Sequence, residues 1–176
     1  ERPVIIVGDE VVKSDALKEA AELAETLGCP AYQSPTPYGA HFLSESPCFI
    51  GALARIQKLA REALAPYDLI IALGGDPLRM SVYSEIDPLP DGMSIVQVGL
   101  VDWEIAKNYG ADVAVKADVR ETLLALVPAL KSAGGRALES RAKEGLAALA
   151  KTNWAARRKP LVEQISKHAK TTPIDP

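Results

Sequence analysis

Leu69-Ile70-Ile71-Ala72-Leu73-Gly74-Gly75-Asp76 is the most apolar short run in the chain, and it ends in two glycines. An unbroken apolar run of strand length, with no polar alternation, reads as a strand buried on both faces, and such strands belong to parallel sheets covered by helices. Two glycines at its end put a tight turn at the carboxyl edge of that sheet. Open α/β sheets bind ligands at this edge, where freed backbone N–H groups can approach a phosphate. The start of the chain repeats the pattern, because Val4-Ile5-Ile6-Val7 runs into Gly8-Asp9-Glu10.

Between and beyond these two runs, short apolar stretches alternate with longer amphipathic ones. Residues 13–27 are predicted as a helix with Leu17, Ala20, Ala21, Ala24 and Leu27 on one side; Ser14 or Asp15 would cap its start and Gly28 its end. Residues 30–34 read as a second strand and residues 34–51, rich in proline, as a long loop. A second helix is expected over 53–64, with Ile56, Leu59, Ala60 and Ala63 turned inward. Further strands are expected at 94–98 and, at an edge, 113–115, with a short helix at 102–108 and a final helix at 118–130. Each connection is long enough for a right-handed crossover, so the predicted fold is α/β: a doubly wound, Rossmann-like parallel sheet of five or six strands in three αβα layers.

Ser132-Ala133-Gly134-Gly135 closes this unit, which divides the chain into a sheet domain at 1–133 and a C-terminal helical linker at 134–176. The linker carries one apolar stripe, Leu138, Ala142, Leu146 and Leu149, expected to lie along the sheet domain or a partner domain. Pro160 is expected to interrupt it, residues 161–170 to form a second helical piece, and residues 171–176 to be extended, since each proline disfavours helix in the residue before it. Charge divides at the same place. Residues 1–135 hold 11 Lys and Arg against 19 Asp and Glu, whereas residues 136–170 hold 9 against 3.

With 176 residues and 48% apolar content, the chain is long enough for one well-packed domain plus an appendage. A net charge of −3 gives no basis for nucleic-acid binding, and Arg157-Arg158-Lys159 beside Trp154 reads as a solvated helix face. No run approaches the roughly 20 apolar residues of a membrane span. Cys29 and Cys48 lack metal or redox spacing, so a reducing, cytoplasmic setting is expected. His41 and His168 form no metal pair, and neither G-x-S-x-G, G-x-G-x-x-G nor a P-loop occurs.

The candidate ligand residues are those that the sheet would bring to its carboxyl edge. Gly74 and Gly75 either only make a tight turn or let a phosphate approach; Gly8 lies beside the expected reversal of strand order. Asp9 could accept a ribose hydroxyl, or belong with Glu10 to a solvated loop. Asp76 follows the glycine pair, and Arg79 reads equally as a phosphate partner or a surface cation.

Pro47-Cys-Phe-Ile-Gly51, Asp68-Leu-Ile-Ile-Ala-Leu-Gly-Gly75, Ser94-Ile-Val-Gln-Val98 and Ala111-Asp-Val-Ala-Val-Lys-Ala-Asp118, in this order and spacing, resemble the central domain of thiamine-diphosphate-dependent enzymes. The resemblance covers residues 2 to about 130, and 42–51 and 83–90 look most like the benzoylformate decarboxylase branch; acetolactate synthases are the other. It implies a structural middle domain without catalytic residues, missing its N- and C-terminal domains, with a helical linker leading to the C-terminal domain, which opens near a Pro-x-x-Pro such as Pro173 to Pro176. Catalysis in the parent would need thiamine diphosphate and Mg2+, a Glu from the N-terminal domain and a Gly-Asp-Gly motif from the C-terminal one. Gly-Asp-Gly is absent here. The resemblance also implies a homo-oligomeric parent, dimer or tetramer. Some family members hold FAD or ADP in this domain through an acidic pattern after the fifth strand. Gly99 and Val101 stand there, with Asp102 as a nearby substitute, so an empty nucleotide fold is expected, and an FAD- or ADP-binding module is the alternative.

Overall fold

The computed structural model of the chain describes residues 1–36 and 39–168. Six strands form one all-parallel sheet in the order β3-β2-β1-β4-β5-β6. They are β1 (Pro3–Val7), β2 (Ala31–Gln33), β3 (Phe49–Ala52), β4 (Leu69–Leu73), β5 (Ser94–Gly99) and β6 (Val113–Lys116). The helices are α1 (Asp9–Lys13), α2 (Leu17–Leu27), α3 (Gln57–Leu64), α4 (Val119–Leu149) and α5 (Trp154–His168). The doubly wound α/β fold and its strand count agree with the pattern of apolar runs.

Alternation along β1 divides the core. Ile5 and Val7 pack with α1, α2 and the first half of α4, through Val11, Ala20, Leu23, Leu123 and Val127. Val4 and Ile6 face the opposite layer, with Leu53, Ala60, Leu64, Ile70 and Ile95. Burial on both faces is why these strands read as continuous apolar runs.

Several elements differ from their sequence reading. The sixth strand, β3, emerges from the end of the expected 34–51 loop; Phe49-Ile50-Gly51-Ala52 is short and is defined by the edge that β2 offers it, across a bulge between Ala31 and Tyr32. The helix expected over 13–27 begins only at Leu17, as α2, and a separate short helix, α1, precedes it at Asp9–Lys13. Asp15, at φ 52°, turns the chain between them, and neither helix has a side-chain cap at its start. Gly28 does end α2 in the left-handed conformation, at φ 61°. Ile56, the extended residue just ahead of α3, and Leu59 within it are 40% and 46% exposed, while the helix turns Ala60 and Leu64 inward. Residues 102–108 are turns and bends, with Ala106 at φ 54°.

The final helix starts as expected, Asp118 Oδ1 accepting the Glu121 N–H at 3.0 Å, but it does not stop at 130. It runs on to Leu149 with a non-helical residue at Gly135 (φ 48°, ψ −142°). The boundary expected at 133 therefore falls within α4, just ahead of this break. Beyond it, Ala142 is buried and Leu146 and Leu149 pack against the α2 side of the core, so the stripe finds its partner in the sheet domain. Pro160 lies inside α5 rather than ending it. It is exposed, as is Pro128 in α4, so water can satisfy the carbonyl that each proline leaves without its helical partner. The extended segment expected at 171–176 lies outside the described residues.

Candidate functional site

Strand order reverses between β1 and β4, which are neighbours in the sheet although β2 and β3 lie between them in the chain. The crevice outside their carboxyl ends is the ligand position of open α/β sheets. A cleft of about 510 Å3, its open mouth included, lies there. Gly8, Asp9, Gly74, Gly75, Asp76 and Arg79 all line it, together with Glu10, Lys13, Ser34, Thr36, Val101, Trp103 and Glu104. Asp102 does not. It pairs with Lys116 at 2.7 Å, and both side chains are more than half exposed.

The glycines are required by the chain's own backbone. A Cβ on Gly8 would stand 2.5 Å from the Gly74 carbonyl oxygen, and one on Gly74, at φ 71°, would stand 2.7 Å from Cβ of Glu10. The Gly8 N–H donates to Leu73 O at 2.8 Å, the Gly74 N–H to Val98 O at 2.8 Å, and the Glu10 N–H to Gly74 O at 3.0 Å. The two strand ends and the first turn of α1 are thus clamped together, and only glycine fits between them.

Each acidic group in the crevice has an internal partner. Asp9 and Glu10 are not a solvated loop but the first turn of α1. Asp9 Oδ1 lies 3.1 Å from His41 Nε2, whose side chain is almost wholly buried. Glu10 is 5% exposed and its Oε2 accepts the Leu100 N–H at 2.6 Å. Asp76 Oδ1 accepts the Leu78 N–H at 3.1 Å, and Oδ2 accepts from Asn108 Nδ2. Arg79 donates to Glu104 at 2.5 Å. Buried polar groups need such partners, and these carboxylates have found theirs within the protein.

Gln97 is not among the candidate ligand residues, yet it holds the crevice wall together. Its amide is buried on β5; Nε2 donates to the carbonyls of Gly75 and Glu104, each at 3.1 Å, and Oε1 accepts the Ala106 N–H at 2.8 Å. These bonds hold residues 104–106 in a turn, which accounts for the absence of the expected helix at 102–108. A glutamine inside the apolar stretch Ile95-Val96-Gln97-Val98 was the available signal, since a buried amide must be satisfied.

The described residues offer no cluster of metal ligands: no group of three or more His, Cys, Asp or Glu among them could hold a metal ion. Both thiols are buried and free, and burial pushes Cys48 up to about 12, leaving it protonated and unreactive. No helix among the described residues is long and apolar enough to cross a membrane.

Comparison with known proteins supplies what the cleft alone does not. The family model described as "Thiamine pyrophosphate enzyme, central domain" matches residues 1–126. Benzoylformate decarboxylase of Pseudomonas aeruginosa is 35% identical over 126 residues, 71% of this chain and 24% of that protein. An acetolactate synthase of Mycobacterium leprae is 28% identical over 135 residues, 74% of this chain and 21% of that protein. Among solved structures, the thiamine diphosphate-dependent 4-hydroxybenzoylformate decarboxylase of Rhodococcus jostii RHA1 matches with a TM-score of 0.66 and 29% identity, over 72% of this chain and 24% of that one. The chain spans about a quarter of the length of the curated relatives it matches. With the strand order, both faces of the core and the family match over residues 1–126 in agreement, the chain belongs to the thiamine pyrophosphate enzyme family, as its central domain.

Proposed function

We propose that this chain is the structural middle domain of a thiamine-diphosphate-dependent 2-oxo acid decarboxylase or acetolactate synthase-like carboligase, and that it is not catalytic alone. The observation that carries this reading is the family match over residues 1–126, joined to a carboxyl-edge cleft whose carboxylates are engaged by the protein itself. Thiamine diphosphate and Mg2+ would be held by domains on either side, and the cofactor would supply the electron sink for cleavage or ligation beside a 2-oxo carbonyl. Residues 1–133 would serve as scaffold and 134–176 as the path toward the C-terminal domain. The full-length parent would be a cytoplasmic homo-oligomer, dimer or tetramer. The alternative, an FAD or ADP module, gains nothing from the cleft: Asp102 pairs with Lys116 outside it, and Glu10 holds the Leu100 N–H.

Calorimetric titration of the 176-residue chain with thiamine diphosphate and Mg2+ tests this directly. No binding heat and no turnover of benzoylformate or pyruvate are expected. Saturable binding of the coenzyme, or decarboxylation by the purified chain, overturns the assignment.

A further inference from the structure

Glu10 occupies an unusual place for a buried carboxylate. It reaches from the first turn of α1 across the ends of β1 and β4 to the end of β5, where Oε2 takes the Leu100 N–H at 2.6 Å. Its other oxygen, Oε1, lies 3.0 Å from where a Cβ on Gly99 would be. The Leu100 N–H follows β5, one strand from the reversal between β1 and β4 and next to the cleft residue Val101, and a backbone N–H at the carboxyl edge is a donor that a phosphate oxygen can take. Here the chain fills that position with its own anion. The close approach permitted by Gly8 and Gly74 is likewise used internally, since Cβ atoms there would strike the Gly74 carbonyl and Cβ of Glu10.

Charge acts in the same direction. Asp9, Glu10, Asp76 and Glu104 line the cleft against Lys13 and Arg79, and Arg79 is paired with Glu104. A phosphate entering would meet like charge in a partly desolvated crevice, where repulsion is weakly screened.

We propose that Glu10 is a built-in anion that bars phosphate-bearing ligands from the strand-reversal crevice, so that the domain keeps nucleotide-fold geometry with its ligand position filled by its own side chain. The inference concerns the chain's own crevice and stands or falls apart from the assignment of the parent enzyme. The other three carboxylates are engaged by Arg79, His41 and the Leu78 N–H, so removing the charge of Glu10, which meets only a backbone N–H among the described residues, would weaken the exclusion of phosphate most. Glu10→Gln is the sharper variant, because its amide oxygen can still accept the Leu100 N–H while the charge is gone; Glu10→Ala removes both.

The test is an amide-resolved NMR titration of the 15N-labelled 176-residue chain with ADP at low ionic strength, with adenosine as the phosphate-free control. In the wild-type chain, millimolar ADP should leave the Gly8, Gly75 and Leu100 signals unmoved. In Glu10→Gln and Glu10→Ala they should shift saturably, with an affinity on the order of a hundredfold above the wild-type limit, the scale expected for lifting one close like-charge contact. Adenosine should respond equally to all three proteins. ADP binding at these amides in the wild type overturns the proposal, as does failure of the folded Gln variant to bind. An equal gain for adenosine also overturns it, since space rather than charge would then be responsible. If the Ala variant does not fold, the Gln variant decides.

Discussion

His41 sits where two demands conflict. Its Nε2 donates toward Asp9 across 3.1 Å, while Nδ1 is buried with no hydrogen-bond partner among the described residues. Its own backbone N–H donates to Gln33 Oε1 at 3.2 Å. Protonating Nδ1 would bury a charge and a donor with no acceptor. Burial therefore pushes the imidazole below its ordinary value near 6.5, outweighing the opposing pull of Asp9. The folded state favours neutral His41, so this contribution to stability is complete above the unfolded value and is lost as pH falls from there toward the folded one. Urea midpoints should drop between about pH 7 and pH 5 in the wild type, and His41→Gln should flatten that drop. An unchanged slope in the variant would assign the loss to other groups.

Among the elements, the second half of α4 behaves as part of the sheet domain. It crosses the end of α2 so closely that a Cβ on Gly28 would lie 2.5 Å from Cα of Ala142, and Gly145 abuts the Gly28 carbonyl. Past α4, Asn153 fastens the start of α5: Oδ1 accepts the Ala156 N–H at 2.9 Å and Nδ2 donates to Pro47 O at 3.1 Å. Trp154 then packs on Phe49 of β3, ring centroids 5.9 Å apart. Gly28→Ala combines a left-handed backbone with a steric clash, and a loss of roughly 2–3 kcal/mol is expected. Asn153→Ala removes a cap and a bond to a loop carbonyl, for roughly 1–2 kcal/mol. Chemical denaturation of both variants checks these values. Losses near zero would mean that the helix rests on the domain without supporting it.

At the scale of the whole molecule, one strand serves both layers of the core. Ile5 and Ile6 are each essentially inaccessible, yet they belong to opposite faces of the sheet. Truncating either to alanine should cost about 2–5 kcal/mol, because the cavity opens in a layer held rigid by the other. Both layers share the β1 backbone, so neither should melt first. In a Trp103→Phe background, far-UV circular dichroism and the fluorescence of Trp154, packed on Phe49 of β3, should give coincident transitions with and without either truncation. Separate transitions would show that the helical extension and the sheet unfold independently.

The amino-acid sequence by itself determined the layers. Apolar runs such as Val4–Val7 and Leu69–Leu73, glycines at their ends, Gly28 after α2 and Asp118 before α4 each act within a few residues, and local burial and backbone preference suffice to read them. The same local signals brought six of the seven candidate residues to one cleft. What those residues do was decided by partners far away in the chain. Glu10 meets Leu100, Asp9 meets His41, Asp76 meets Asn108, and Gln97 holds both Gly75 and Ala106. Strand β3 and the continuation of α4 past Gly135 have the same origin, since a short strand needs a neighbouring edge and an amphipathic helix needs a surface to cover. A desolvated polar group takes whichever partner the fold brings within hydrogen-bond reach, and only the assembled tertiary structure fixes which one that is.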